Sequence, residues 1–226
     1  ILLSMMSGAV AADFVSKQVF GMSPIFKFEL IKAISLNQYW LLILLGILLG
    51  VLGALYNLVL IQTKKLYGKL KFLNEKTKVI IPFIFALVFG MVFPVVLCGG
   101  HRIVEELTLL NGIMFLVTIF LIKFLFSMVS FGSGAPGGIF FPLIILGATI
   151  GAVFAGISIN YLGVEQELYN NFIILAMAGF FTAIVRAPIT GIVLIMEMTG
   201  SFIHMLSLTV VVVTSYIVAD LLKSKP

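Results

Sequence analysis

The chain alternates long uncharged runs with short polar or helix-breaking stretches. Residues 38–61, 79–97 and 124–164 contain no Asp, Glu, Lys or Arg. A helix needs about 20 mainly apolar residues to cross a hydrocarbon core about 30 Å thick. The pattern predicts spans over 38–61 and 79–97, and a third over 110–128 that carries Lys123. It predicts further helices over 139–159, 169–185, 188–198 and 202–222, a short helix over 1–20 with Asp13 and Lys17, and a short polar helix over 102–109. Residues 21–36 read as a connection, with Gly21, Ser23 and Pro24 as breakers and Glu29 and Lys32 on a short helix. The pieces are uneven. The eleven residues 188–198 reach only about 16 Å at about 1.5 Å per residue, too short to span. Interrupted helices beside full spans are the habit of transporters and channels, where half-helix ends point at a site near the bilayer midplane.

Composition makes the class firm. Of 226 residues, 62% are hydrophobic and 10% charged, with a mean hydropathy of +1.24. Soluble domains run at about 45–50% apolar and about 25% charged. The fold class is therefore an all-α polytopic membrane protein. The net charge of +5 does not call for nucleic acid. Lys64, Lys65, Lys69, Lys71, Lys76 and Lys78 crowd into one connection, and basic loops beside spans usually face the cytoplasm. Gly46, Gly50 and Gly53 form a small-residue stripe that lets helices approach closely in lipid. The single Cys98 excludes an internal disulfide and a cysteine-based metal cluster, and His101 and His204 lie in different segments. No metal or cofactor is expected. No signal peptide is visible, and a chain opening on Ile1 within an apolar run reads as a piece of a longer protein.

Helix breakers concentrate in one place. Gly132-Ser133-Gly134-Ala135-Pro136-Gly137-Gly138-Ile139-Phe140-Phe141-Pro142 lies inside the uncharged stretch 124–164. Irregular backbone at membrane depth survives only where protein or a water-filled cavity surrounds it. Gly137 and Gly138 permit backbone conformations that a side chain would block, and they let a ligand approach the main chain. Pro142 suits the first turn of a helix, where its missing N–H costs nothing. The first N–H groups of that helix have no intrahelical partner and sit at the positive end of the macrodipole, about half an elementary charge. This is an anion site without a basic side chain. A buried Lys or Arg would hold the anion too tightly for rapid release. The alternative reading of Gly137-Gly138 is a simple helix contact, and spacing alone leaves both open.

A second pattern runs Arg186-Ala187-Pro188-Ile189-Thr190-Gly191, followed by Glu197-Met198-Thr199. Ionisable groups in apolar segments are functional-site candidates. In one continuous helix Arg186 and Glu197 would stand about 16 Å apart, so they could pair only across a break at Pro188. The preferred reading is structural: Arg186 caps carbonyls at the break and Glu197 is tied by hydrogen bonds.

These three strings, in this order and at this spacing, resemble the CLC family of chloride channels and chloride/proton exchangers. The resemblance covers the whole chain, as the end of the family's first repeat and most of its second: 1–61, a basic linker at 62–78, and 79–226. It implies an inverted-repeat fold of tilted, partial helices. It also implies a homodimer in the cell membrane of a bacterium, each subunit with its own path for chloride or a similar anion. The family's Gly-x-Phe-x-Pro segment supplies backbone N–H groups to a central chloride, which here are the amides of Ile139 and Phe140 after Gly137 and Gly138. Pro142, Arg186, Pro188 and Glu197 would be structural near the pore. The resemblance places a gating glutamate and a pore serine ahead of Ile1, and a pore tyrosine just past Pro226. The exchangers' inner proton-transfer glutamate falls at or near Gln18, which cannot carry a proton. The leading expectation is therefore anion transport by a channel; the alternative is a proton-coupled exchanger using another proton route.

Two other classes compete. An intramembrane serine protease built on Ser133 would need an activating histidine, and neither His101 nor His204 sits in a fitting motif. A cation-coupled transporter would want core carboxylates, and only Glu197 qualifies. The expectation is a transporter, not an enzyme.

Overall fold

The computed structural model describes residues 2–21, 25, 26, 28, 32–69, 74, 77–97, 99–107, 112–135, 137–200 and 204–224. Ser23, Pro24, Glu29, Lys71, Lys76, Cys98, Pro136, Phe202 and Pro226 of the sequence reading lie outside the described residues, as does the His101 side chain. The helices are α1 (Leu2–Phe20), α2 (Tyr39–Lys69), α3 (Ile80–Val92), α4 (His101–Glu106), α5 (Ile113–Gly132), α6 (Phe140–Leu162), α7 (Tyr169–Val185), α8 (Pro188–Thr199) and α9 (Met205–Leu221). Among the described residues there is no strand.

Helix α7 is the hub. It packs against α6, α9, α2 and α8, and from Phe172 to Ile184 it is buried throughout. Its sequence is apolar on every side, which suits a helix with no solvent face. Close approach is possible because the contact points are small. A Cβ on Gly151 would lie 2.6 Å from the Phe172 carbonyl oxygen and 2.7 Å from Ile173 Cα. One on Gly147 would lie 2.8 Å from the Ala176 oxygen. The stripe on α2 works likewise: Gly46 meets Thr214 and Gly50 meets Val218, both at 2.7 Å, and Gly53 meets Ala183 at 2.6 Å. That stripe seats α2 on α9 and α7. By contrast, the described side chains of α1 are all exposed.

Four helical segments are long and apolar enough to cross a membrane: Leu36–Lys69, Ile113–Gly132, Phe140–Leu162 and Gln166–Val185. Three details differ from the sequence expectation. Helix α2 runs on through Lys64, Lys65 and Lys69, so the lysine-rich connection begins as helix. Lysine, leucine and glutamine are good helix formers, and nothing before Gly68 interrupts them. The run over 79–97 divides: α3 ends at Val92, Phe93 leaves the helix (φ −139°, ψ 70°), and Pro94–Val96 forms a 3-10 turn. A residue ahead of proline is pushed out of the α region. Lys32 is not helical; its ammonium pairs with Glu165 at 2.6 Å across an exposed surface.

Candidate functional site

The chain leaves α5 through Ser133 and Gly134. The Ser133 hydroxyl donates to the Ser130 carbonyl at 2.6 Å and accepts from the Ala135 N–H at 3.3 Å, so it serves a local turn. The left-handed conformation belongs to Gly134 (φ 79°), whereas Gly137 and Gly138 do not adopt it. This corrects the expectation that those two glycines are needed for backbone shape. What they provide is clearance. Both are exposed, and a Cβ built on either meets nothing within 4 Å.

Helix α6 begins at Phe140, with Ile139 as its N-cap. The first helical bond across this start is donated by the Leu143 N–H to the Ile139 carbonyl at 3.1 Å. Pro142 is the third helical residue and has no N–H to give. The N–H groups of Ile139, Phe140 and Phe141 therefore precede the ladder, and no described residue accepts from Ile139 or Phe140. Such orphan donors converge at the positive end of the macrodipole. The Phe140 ring is fixed edge-on against Phe181 of α7, at 5.6 Å between centroids. That contact anchors the helix start to the hub.

Two cavities flank this start. The larger, about 760 Å³, opens between α6 and α8 and is lined by Phe140, Phe141, Ile189, Thr190 and Glu197 among others. The smaller, about 360 Å³, lies toward α5 and is lined by Lys123, Ser127, Ser130, Gly138, Phe141 and Pro142 among others. Phe141 borders both. Glu197 is exposed and faces the larger cavity. No hydrogen bond ties it among the described residues, contrary to expectation. It lies within electrostatic reach of Lys17, whose closer partner is Asp13 at 2.8 Å. Gln18, next to Lys17 on α1, is exposed.

Arg186 and Pro188 form the break between α7 and α8. Pro188 is the first residue of α8. Arg186 ends α7 in the left-handed region (φ 64°), a conformation that costs a non-glycine residue energy unless its surroundings hold it. Its guanidinium donates to the carbonyls of Tyr216 (3.1 Å), Ala219 (2.5 Å) and Ser224 (2.9 Å). It also stands 3.6 Å from the exposed Asp220 carboxylate and over the Tyr216 ring. The carbonyls it caps thus belong to the end of α9, not to the break beside it. The sequence could not show this, because Tyr216 and Ala219 lie more than a whole helix away.

Lys123 was visible in the sequence only as a charge within a span. Its side chain is 1% exposed, and its ammonium donates to the Val96 carbonyl at 2.8 Å. The signal that could have singled it out was the cost of placing any ionisable group at that depth.

A family model described as "Voltage gated chloride channel" matches residues 1–220. The chain belongs to the voltage-gated chloride channel family. A Vibrio parahaemolyticus relative named H(+)/Cl(-) exchange transporter ClcA is 32% identical over 225 residues, covering 96% of this chain and 48% of the relative. A relative of the same name from Vibrio campbellii is 33% identical over 227 residues, covering 96% and 47%. The solved structure of a slow cyanobacterial Cl-/H+ antiporter superposes with a TM-score of 0.87 at 29% identity, covering 97% of this chain and 52% of the other. The CLC-type helical fold expected from the resemblance is the fold this similarity shows. The chain spans about half the length of the curated relatives it matches.

Proposed function

We propose that the protein to which this chain contributes exchanges chloride for protons across the cell membrane of a bacterium. The observation that carries the anion half is the α6 start. The N–H groups of Ile139 and Phe140, which meet no acceptor among the described residues, sit behind two glycines with open space around them. Backbone dipoles stabilise a partly dehydrated halide, yet bind it weakly enough to let it go. Chloride is the expected bound ligand, with no cofactor. Pro142 keeps the first turn open, while Arg186 and Pro188 position α8 along the larger cavity. Lipid surrounds the exposed apolar helices, and two copies form a homodimer.

Coupling to protons is favoured over a passive channel because the relatives above are named exchangers and the cyanobacterial structure is an antiporter. A channel is the second reading, favoured by one residue: Gln18 stands at or near the position where the resemblance places the exchangers' inner proton carrier. Full-length protein in proteoliposomes decides between them. Exchange moves protons inward in fixed proportion to chloride efflux. Chloride efflux that leaves internal pH unchanged would establish the channel instead. The site has its own test. Gly138→Leu fills the approach to the amides and should cut chloride flux about tenfold or more, as truncating a preorganised donor site does elsewhere. Wild-type flux in that variant would remove the site from Ile139 and Phe140.

A further inference from the structure

Exposed apolar side chains run down one face of α2 and end on lysines. Val51, Leu55, Leu58 and Ile61 recur there at spacings of three and four, and Lys65 and Lys69 continue the same series. The four apolar residues border a groove of about 410 Å³ whose other wall is Leu222, Lys223 and Ser224, in the turn after α9. That turn is held from several sides. Asn57 donates to the Ser224 hydroxyl at 3.2 Å, Arg186 to the Ser224 carbonyl at 2.9 Å, and the Lys223 N–H to the Asp220 carbonyl at 2.8 Å. On the inner side of α2, Tyr67 donates to the Val129 carbonyl at 3.0 Å, which fixes the rotation of the helix end and keeps Lys65 and Lys69 turned outward. Lys65, Lys69 and Lys223 are exposed, and α2 carries no acidic residue. Among the described residues no salt bridge involves any of the three. Asp220, the carboxylate of this turn, stands against Arg186 at 3.6 Å.

We propose that this groove holds one anionic phospholipid, with an acyl chain along residues 51–61 and the phosphate between Lys223 and Lys65. The two ends of the groove match the two parts of a lipid. Residues 38–61 are uncharged and suit hydrocarbon, and the first charges on α2, at Lys64 and Lys65, mark the interface. Basic residues beside a span face the cytoplasm, where anionic headgroups attract them. Lys65 stands about 10 Å further along the axis than Leu58, at about 1.5 Å per residue. A lysine stem covers apolar surface while its ammonium reaches toward the interface. Lys223 approaches the same groove from the α9 side. A phosphate diester satisfies both ammonium groups, whereas a zwitterionic headgroup brings its own cation against them. The site therefore selects net negative headgroups. The rival account is a loose annulus of bulk lipid, which covers the same apolar stripe without preferring any headgroup.

Native mass spectrometry of the full-length protein in detergent, with phosphatidylglycerol or phosphatidylcholine added, separates the two. One phosphatidylglycerol per subunit should stay bound at about tenfold lower lipid concentration than phosphatidylcholine. Lys65→Gln and Lys223→Gln should each weaken phosphatidylglycerol retention about fivefold, the worth of one lysine at a membrane surface. Lys64→Gln should change it less than about twofold, because Lys64 points about 100° away from Lys65 around the helix. Ala54→Trp fills the groove, leaves every lysine in place, and should abolish the bound phosphatidylglycerol. Equal retention of the two lipids would overturn the proposal in favour of bulk lipid. Equal losses in Lys64→Gln and Lys65→Gln, or undiminished retention in Ala54→Trp, would overturn it in favour of a diffuse basic surface. Wild-type protein in phosphatidylglycerol nanodiscs, imaged by cryo-electron microscopy, gives the answer should the variants not fold. Acyl-chain density in the groove with phosphate between Lys65 and Lys223 supports the site. An empty groove, or one filled by a protein segment from outside residues 1–226 or by a second copy of the chain, overturns it. Lipid retention is read without any ion flux, so this outcome is separate from whether the protein exchanges chloride for protons.

Discussion

Two glycine-bearing stretches, one within α6 and one just ahead of it, do opposite things. In the body of α6, Gly147 and Gly151 sit where an added methyl would strike the backbone of α7 within 3 Å. Just ahead of α6, Gly137 and Gly138 face open space. The same residue type closes one region and keeps the other clear. The packed stretch is a matter of stability, since close backbone approach is how helices associate where lipid offers no hydrophobic drive. The open stretch contributes little to packing and is free to be a site. Rigidity in the body of the helix positions the donors at its start.

The comparison breaks most readily at its packed side. Gly151→Ala should cost about 1–3 kcal/mol from overpacking against Phe172 and Ile173, read as a lower melting temperature in detergent. Gly138→Ala should change stability by less than about 0.5 kcal/mol, as for an open surface position. Equal losses at both positions would end the distinction. Nearly as large is the loss expected at Arg186, where α7 is tied to the end of α9. Arg186→Gln leaves carbonyls of Tyr216, Ala219 and Ser224 without their cationic donor and should cost about 2 kcal/mol. The Asp220 contact adds little to this, because that carboxylate is 72% exposed. Restored stability in Arg186→Lys would show that charge rather than the forked geometry is what matters.

The smallest effect belongs to His204, in the turn ahead of α9. It is buried, neither ring nitrogen has a partner among the described residues, and burial holds its pKa below the ordinary 6.5. A depressed histidine pKa means that the unfolded chain takes up a proton before the folded one does. The stability contribution is complete above pH 6.5 and is lost as pH falls below it toward the folded value. The melting temperature should decline on acidification through this window, and His204→Gln should flatten the decline. An unchanged acid limb in that variant would assign the loss to another group.

Much of the fold was legible along the chain. Apolar runs located α5, α6 and α7, and the Arg186–Pro188 pair marked the division between α7 and α8. The limits of α2 and α3 were not legible. A lysine-rich stretch reads as a loop by charge but as a helix by propensity, and in α2 propensity prevailed. In the run over 79–97, apolar character hid the break that Pro94 enforces at Phe93. The site was half legible. Helix breakers ahead of Pro142 pointed to an unsatisfied helix start, because capping and dipole rules act within a few residues; that the amides are those of Ile139 and Phe140 came from the family resemblance. The roles of Gly137, Arg186 and Lys123 were not, because each depends on what another helix places opposite.

By sequence alone, this chain is committed to the membrane, to a set of helices of unequal length, and to an unsatisfied helix start within an apolar stretch. Those properties follow from hydropathy, backbone hydrogen bonding and proline's missing N–H, all of which are local. Tertiary structure decided which glycines are crowded and which are clear, sent Arg186 to the carbonyls of α9, and brought Lys123 to the cavity beside Gly138. Contacts between residues distant in the chain are set by how helices pack, and no periodicity within a single helix records its neighbour.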